Sequence, residues 1–188
     1  MRILVAGLAL FLGIHLVPAI PPLRAALVAR WGELRYKGVF TAMSALGLVL
    51  IVAGYAFAGE RTAVFTPFPA ARAVAPFAMT VAFILFAAAN MRGHLRRVLR
   101  HPMLLGLLIW ATVHLLANGD RTGTVLFGAF LAYALVDLVS AVGRGAVKSF
   151  VPVPKHDVIA VAGGIGVALA VMTFHRVLFG VAVTGFGV

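Results

Sequence analysis

Long apolar runs, separated by short proline-rich or basic stretches, make up most of the chain. Runs and breakers together predict six membrane-spanning helices, at roughly 3–20, 39–58, 74–91, 102–118, 123–142 and 158–176. Each is near the ~20 residues that carry an α-helix across a bilayer. Pro18, Pro21 and Pro22 close the first run. Pro76 and Pro102 suit the first turns of the third and fourth, where a missing N–H costs little. Asn118-Gly119-Asp120 is a turn signal that joins spans four and five tightly. Pro152 and Pro154 punctuate the loop before span six. The expected fold class is all-α: a polytopic integral membrane helical bundle forming a single transmembrane domain over 1–188. Leu16 to Pro22 offers no small-x-small cleavage site, so the first run reads as a membrane helix and not a signal peptide. The final stretch, Val177–Val188, has two readings. Either span six continues through it with Arg176 snorkelling, or it lies along the interface or on a neighbouring chain of a homo-oligomer.

Composition agrees with this pattern. The chain is 63% hydrophobic and 11% charged, against about 25% charged in soluble domains. There is no cysteine, which removes disulfides, thiolate metal sites and covalent C-x-x-C-H haem attachment. A net charge of +11 can signal nucleic acid. Here the basic residues sit at segment ends, where they meet anionic lipid and set orientation, so lipid is the expected partner and nucleic acid is not. Eleven of the 16 Lys and Arg residues fall in the loops after spans one, three and five. The positive-inside rule places those loops in the cytoplasm. Both termini then face the periplasm of a bacterial inner membrane.

His15 and His114 lie inside apolar spans, where an ionisable side chain is costly and usually has a partner or a task. Counting ~1.5 Å per residue along antiparallel spans puts both within several Å of the midplane, offset to opposite sides. His15 shares its helix face with Leu4, Leu8, Phe11 and Pro18; His114 shares its face with Met103, Leu107, Trp110, Ala111 and Ala117. Two apolar faces with an imidazole each can hold a flat hydrophobic macrocycle ligated on both sides. The competing reading is two neutral, buried histidines bonded to a backbone carbonyl, or to Thr112, Ser44 or Tyr133.

Other polar groups carry less. His101 starts span four and points about 140° away from His114 on an ideal helix, which suits a supporting or substituent-binding role. His94 and His156 read as solvated loop residues, and His175 as structural. Asp137, on one face with Tyr133, is either a functional intramembrane acid or the ion-pair partner of Arg144. Asn90 reads as a helix-end hydrogen-bonder. The basic run from Arg92 to His101 is either an orientation signal or a source of arginines for haem propionates, Arg100 among them. Arg24, soon after the His15 helix, is a second propionate candidate.

Leu12-Gly13-Ile14-His15-Leu16-Val17-Pro18, Leu23-Arg24 and Tyr36-Lys37-Gly38-Val39-Phe40 resemble the NnrU family of bacterial membrane proteins. So do Arg100-His101-Pro102 and the run Trp110 to Asp120. The likeness covers most of the chain and implies a link to nitric oxide metabolism and denitrification. The chain is also similar to zeta-carotene isomerase, a haem b membrane enzyme. That likeness implies non-covalent haem b with His15 and His114 as axial ligands, and it matches a histidine-proline pair at His101-Pro102. It departs at Ala111, where the isomerase carries a cysteine, so ligand exchange through that thiol is excluded.

Three functions follow. The first is a b-type haem protein with a redox or nitric-oxide-linked role, in which iron is held by His15 and His114 and propionates by Arg24, Arg100 or His101. The second is a haem-dependent cis-trans isomerase acting on a lipophilic, carotenoid-like polyene. The third is a haem-free transporter or assembly factor. The first implies a redox partner and the second a lipid-soluble substrate.

Overall fold

Proline decides where half of the α-helices begin. The structure, a computed structural model, describes residues 1–59 and 62–183. Arg61 and the end of the apolar tail, 184–188, lie outside them. Helix α1 spans Arg2–Leu16 and tightens into a 3₁₀ turn at Val17–Ala19 around Pro18. Helices α2 (Pro21–Trp31), α4 (Pro69–Ala89), α6 (Pro102–Asn118) and α8 (Pro154–Phe179) each start on proline. There its fixed φ is already helical and its missing N–H is one that would lack a partner anyway. Helices α3 (Glu33–Ala56), α5 (His94–Leu99) and α7 (Arg121–Gly143) complete the chain. Five of these helices are long and apolar enough to cross a membrane, and α6 is a shorter apolar helix of 17 residues. The protein is an integral membrane helical bundle.

Three details differ from the run-and-breaker expectation. Pro76 is not in a first turn but inside α4, because Phe68 is extended and Pro69 already opens the helix. Thr80 donates its hydroxyl hydrogen to the Pro76 carbonyl at 2.8 Å. The basic loops hold two short helices, α2 and α5, which have no long apolar run to reveal them. Helix α3 begins in a polar turn, where Lys37 and Glu33 pair at 2.9 Å one turn apart. Span six runs past Arg176 but only to Phe179, where Gly180 ends it in the left-handed conformation at φ 75°, so it does not continue through the whole tail.

The helices pack in the spatial order α3–α1–α7–α6–α4–α8. Small residues make the α1–α3 contact close: a Cβ on Gly7 would come within 2.6 Å of the Ile51 nitrogen, and one on Gly47 within 2.8 Å of the Phe11 nitrogen. Leu4 and Leu8 of α1, Ile51 of α3, and Leu126 and Phe127 of α7 form the buried core. At the end that carries the N-terminus, the α3–α4 connection clamps the turn before α7. The Val64 N–H donates to Gly119 at 2.8 Å, and Arg121 donates to Thr62 at 2.9 Å. Asp120 caps α7 by accepting from the Gly123 N–H at 2.8 Å.

At the opposite, basic-loop end, Asp157 of α8 clasps the start of α5. It accepts from the backbone N–H of His94 and Leu95 at 2.8 and 2.9 Å, and from the His94 ring at 2.9 Å. His156 Nδ1 accepts from the Arg92 N–H at 3.2 Å. His94 is exposed, as expected, and His156 is partly so; both also tie two loops together. Gly93 sits where any Cβ would strike the Asp157 carboxylate.

Candidate functional site

His15 and His114 are anchored in the same way. A histidine facing back along its helix can reach the carbonyl one turn earlier, and both do. His15 Nδ1–H donates to Phe11 O at 2.6 Å, and His114 Nδ1–H donates to Trp110 O at 2.8 Å. A carbonyl only accepts, so the bond fixes the proton on Nδ1 and leaves the Nε2 lone pair free in the neutral ring. Among the described residues neither Nε2 has a hydrogen-bond partner. Among the described residues the one fully sealed side-chain polar atom without a partner is Tyr36 Oη, so neither Nε2 is fully sealed. The backbone-carbonyl alternative therefore accounts for one nitrogen of each ring and not the other. Ser44 and Tyr133 bond elsewhere, to Phe40 O and Asp137.

Aromatic rings connect the two sites. The His15 ring lies 4.2 Å from that of Phe11, Phe11 is 5.9 Å from Phe130, and Phe130 is 5.4 Å from Trp110. Trp110 is 5.3 Å from His114. Helix α7 stands behind both: Phe127 meets His114 at 4.9 Å and Tyr133 faces His15 at 6.4 Å. Six residues of α7 separate those contacts, so the imidazoles differ in depth by roughly 9 Å. Helical side chains lean toward their own N-terminus, and α1 and α6 run in opposite directions. Both histidines thus lean toward one central layer of Phe11, Phe130 and Trp110. Helices α1 and α6 form no extended contact with each other among the described residues.

The polar candidates separate. Arg24 lies with its guanidinium 5.7 Å over the Tyr36 ring. Tyr36 is 6.3 Å from Phe40, which is 5.1 Å from His15, so Arg24 belongs to the His15 neighbourhood. Arg100 and His101 lie before α6, about 20 Å of helix rise below His114, and line a different cavity. Asp137 takes the ion-pair reading. It accepts from Tyr133 Oη at 3.2 Å and lies 4.0 Å from the Arg144 guanidinium. Asn90 bonds Phe86 O at 3.2 Å, as a helix-end residue should.

Two residues escaped sequence reasoning. His175 of α8 brings its ring to 6.5 Å from His114, held by a 2.6 Å bond to Val181 O. No spacing rule links residues on helices α6 and α8. Tyr36 is the other. A tyrosine between Arg35 and Lys37 gives no hint that its hydroxyl is buried without a partner.

These features define a polytopic helical membrane protein with two intramembrane histidines presented through Nε2. The family model described as NnrU protein matches residues 3–183, and the chain belongs to the NnrU family. No curated protein and no solved structure is significantly similar to it.

Proposed function

We propose that the protein is a membrane b-type haem protein whose iron is held by His15 and His114 and whose role is redox or nitric-oxide-linked. The observation that carries this reading is the pair of Nδ1-anchored imidazoles, each with an Nε2 that is unpartnered among the described residues and not fully sealed. An Nδ1–H bonded to a carbonyl orients a metal-ligating histidine and raises its basicity. Among the described residues no group of three or more His, Asp or Glu side chains converges on one point. Two imidazoles are too few for a bare ion but suffice for a macrocycle that supplies four nitrogens itself. Bound haem supplies one-electron chemistry. The chain's own residues set its surroundings: Phe11, Phe130 and Trp110 exclude water, while Arg24 offers a carboxylate its charge. The concentration of Lys and Arg in the loops after spans one, three and five supports a cytoplasmic side for those loops and a periplasmic side of a bacterial inner membrane for both termini.

Optical spectra of the purified protein, oxidised and reduced, test the reading. A low-spin haem spectrum is expected, lost or altered in both His15→Ala and His114→Ala. Arg24→Gln should weaken haem retention without changing the ligand signature. Normal haem content and spectra in both histidine variants, or no Soret band after haem supply, would overturn it.

A further inference from the structure

At the basic-loop end, the chain makes two sharp reversals that face each other. Helix α7 ends in a Schellman turn. Gly145 takes φ 59°, the Ala146 N–H donates to Ala141 O at 2.9 Å, and the Gly145 N–H donates to Val142 O at 3.0 Å. This returns residues 146–150 over the start of α6. Between α5 and α6, Arg100 is the only non-glycine residue with positive φ among the described residues, at φ 61° and ψ −50°. The His101 N–H donates across it to Leu99 O at 2.6 Å. That is a γ-turn of the rare, strained hand, built on an arginine where glycine would fit without strain. Strain of this kind at a charged residue points to a task for its side chain.

The two reversals enclose a cavity of about 180 Å³ whose polar walls are Arg96, Arg100, His101 and Lys148, with Phe150 and Leu104 among its apolar ones. The Arg96 guanidinium lies 5.4 Å over the Phe150 ring and donates to a carbonyl, Met91 O, at 3.5 Å. His101, the N-cap of α6, makes no side-chain cap bond. None of these cations has a carboxylate partner among the described residues. The acids are spent elsewhere: Glu33 on Lys37, Asp120 on the α7 cap, Asp137 beside Tyr133 and Arg144, and Asp157 on the α5 clasp. The fifth, Glu60, belongs to the α3–α4 connection and lies outside the described residues. Among the described residues, three fixed positive charges around a small cavity therefore have no counter-ion. The cavity opens at the ends of α4, α6 and α7, which is the headgroup level of a membrane.

We infer that this cavity is a phosphate-binding site, distinct from the histidine pair, in which Arg96, Arg100 and Lys148 hold a phosphate group. Two planar guanidinium forks and one ammonium suit a tetrahedral anion with several acceptor oxygens. The phosphate can come from an anionic phospholipid headgroup or from free phosphate, and the chemistry is shared.

The test uses the full-length protein in mild detergent. Its thermal midpoint and native mass spectra are followed on titration with phosphatidylglycerol, phosphatidylcholine or inorganic phosphate. Stabilisation by phosphatidylglycerol with little from phosphatidylcholine assigns the headgroup; stabilisation by inorganic phosphate alone assigns a soluble ligand. Either effect should weaken by about tenfold or more in Arg96→Gln/Lys148→Gln, the scale of a lost charge-assisted pair. Arg100→Gly should weaken binding comparably while raising the midpoint of the ligand-free protein, because the γ-turn strain is relieved. Binding of neither probe, or affinity within about twofold of wild type in either variant, would overturn the assignment. The haem spectrum should be unchanged in both variants, which separates this site from the His15–His114 reading.

Discussion

The α1–α3 contact makes a sharp prediction, because one glycine there touches the residue that anchors His15. An alanine Cβ at position 47 would lie 2.8 Å from the Phe11 nitrogen and 2.9 Å from its Cβ. Carbon atoms are at ease at about 3.5–4.0 Å, so α1 and α3 must part locally by roughly 0.6–1 Å. Overpacking of this kind costs about 1–3 kcal/mol. Alanine also gains helix propensity over glycine, about 1 kcal/mol, and the two effects must be separated. Gly128, in α7, provides the control, since its Cβ would meet nothing within 4 Å. Gly128→Ala should stabilise by the propensity gain alone. The difference between Gly47→Ala and Gly128→Ala then isolates the steric cost, expected at about 1–3 kcal/mol. Unfolding midpoints followed by circular dichroism in mixed micelles give that difference. A second readout is local: moving Phe11 stretches its 2.6 Å bond to His15, so the spectrum of any His15-bound haem should shift in Gly47→Ala only. Equal stabilities for the two variants would refute the close packing and the link to His15.

Leu4 is fully buried, so Leu4→Ala should cost about 2–5 kcal/mol, while Val49→Ala on the outer face of α3 should change the midpoint little. Asp120→Ala should cost about 1 kcal/mol and speed hydrogen exchange at the Gly123 amide, whose bond to the cap is lost. Gly93→Ala should expel the Asp157 carboxylate and expose the Arg96–Arg97 pair to trypsin; a digestion rate equal to that of wild type would mean that the clasp does not hold α5.

Much of the scaffold was legible in the chain because its boundaries are chemical. Pro102 and Gly119 bracket α6, and the span expected at 102–118 coincides with the helix. The early end of α1 and the interior position of Pro76 were not legible, since an apolar window cannot tell which of several prolines opens or closes a helix. Helices α2 and α5 were invisible for a related reason: a short helix at an interface alternates charge with leucine and valine and has no long apolar run. The histidine pair could be singled out from burial cost alone. Its neighbours could not, because His175 and the Asp157–His94 clasp join residues far apart in the chain, through contacts that only the packing creates. Arg100 and His101 looked like neighbours of the pair because sequence distance along α6 hides about 20 Å of depth.

The packing order has a consequence for how the bundle is made. Helices α1 and α3 pack as one pair and α4 and α6 as another, and the members of each pair are near one another in the chain. Helix α7 packs on α1 and on α6 and so joins the two pairs. A nascent chain that has inserted α1 to α6 therefore holds two unjoined pairs, with His15 on one and His114 on the other. Insertion of α7 is the step that brings them to one layer through Phe127, Phe130 and Tyr133. The histidine site is thus assembled late, after most of the protein is already in the membrane, and any group held by both histidines must arrive after that point.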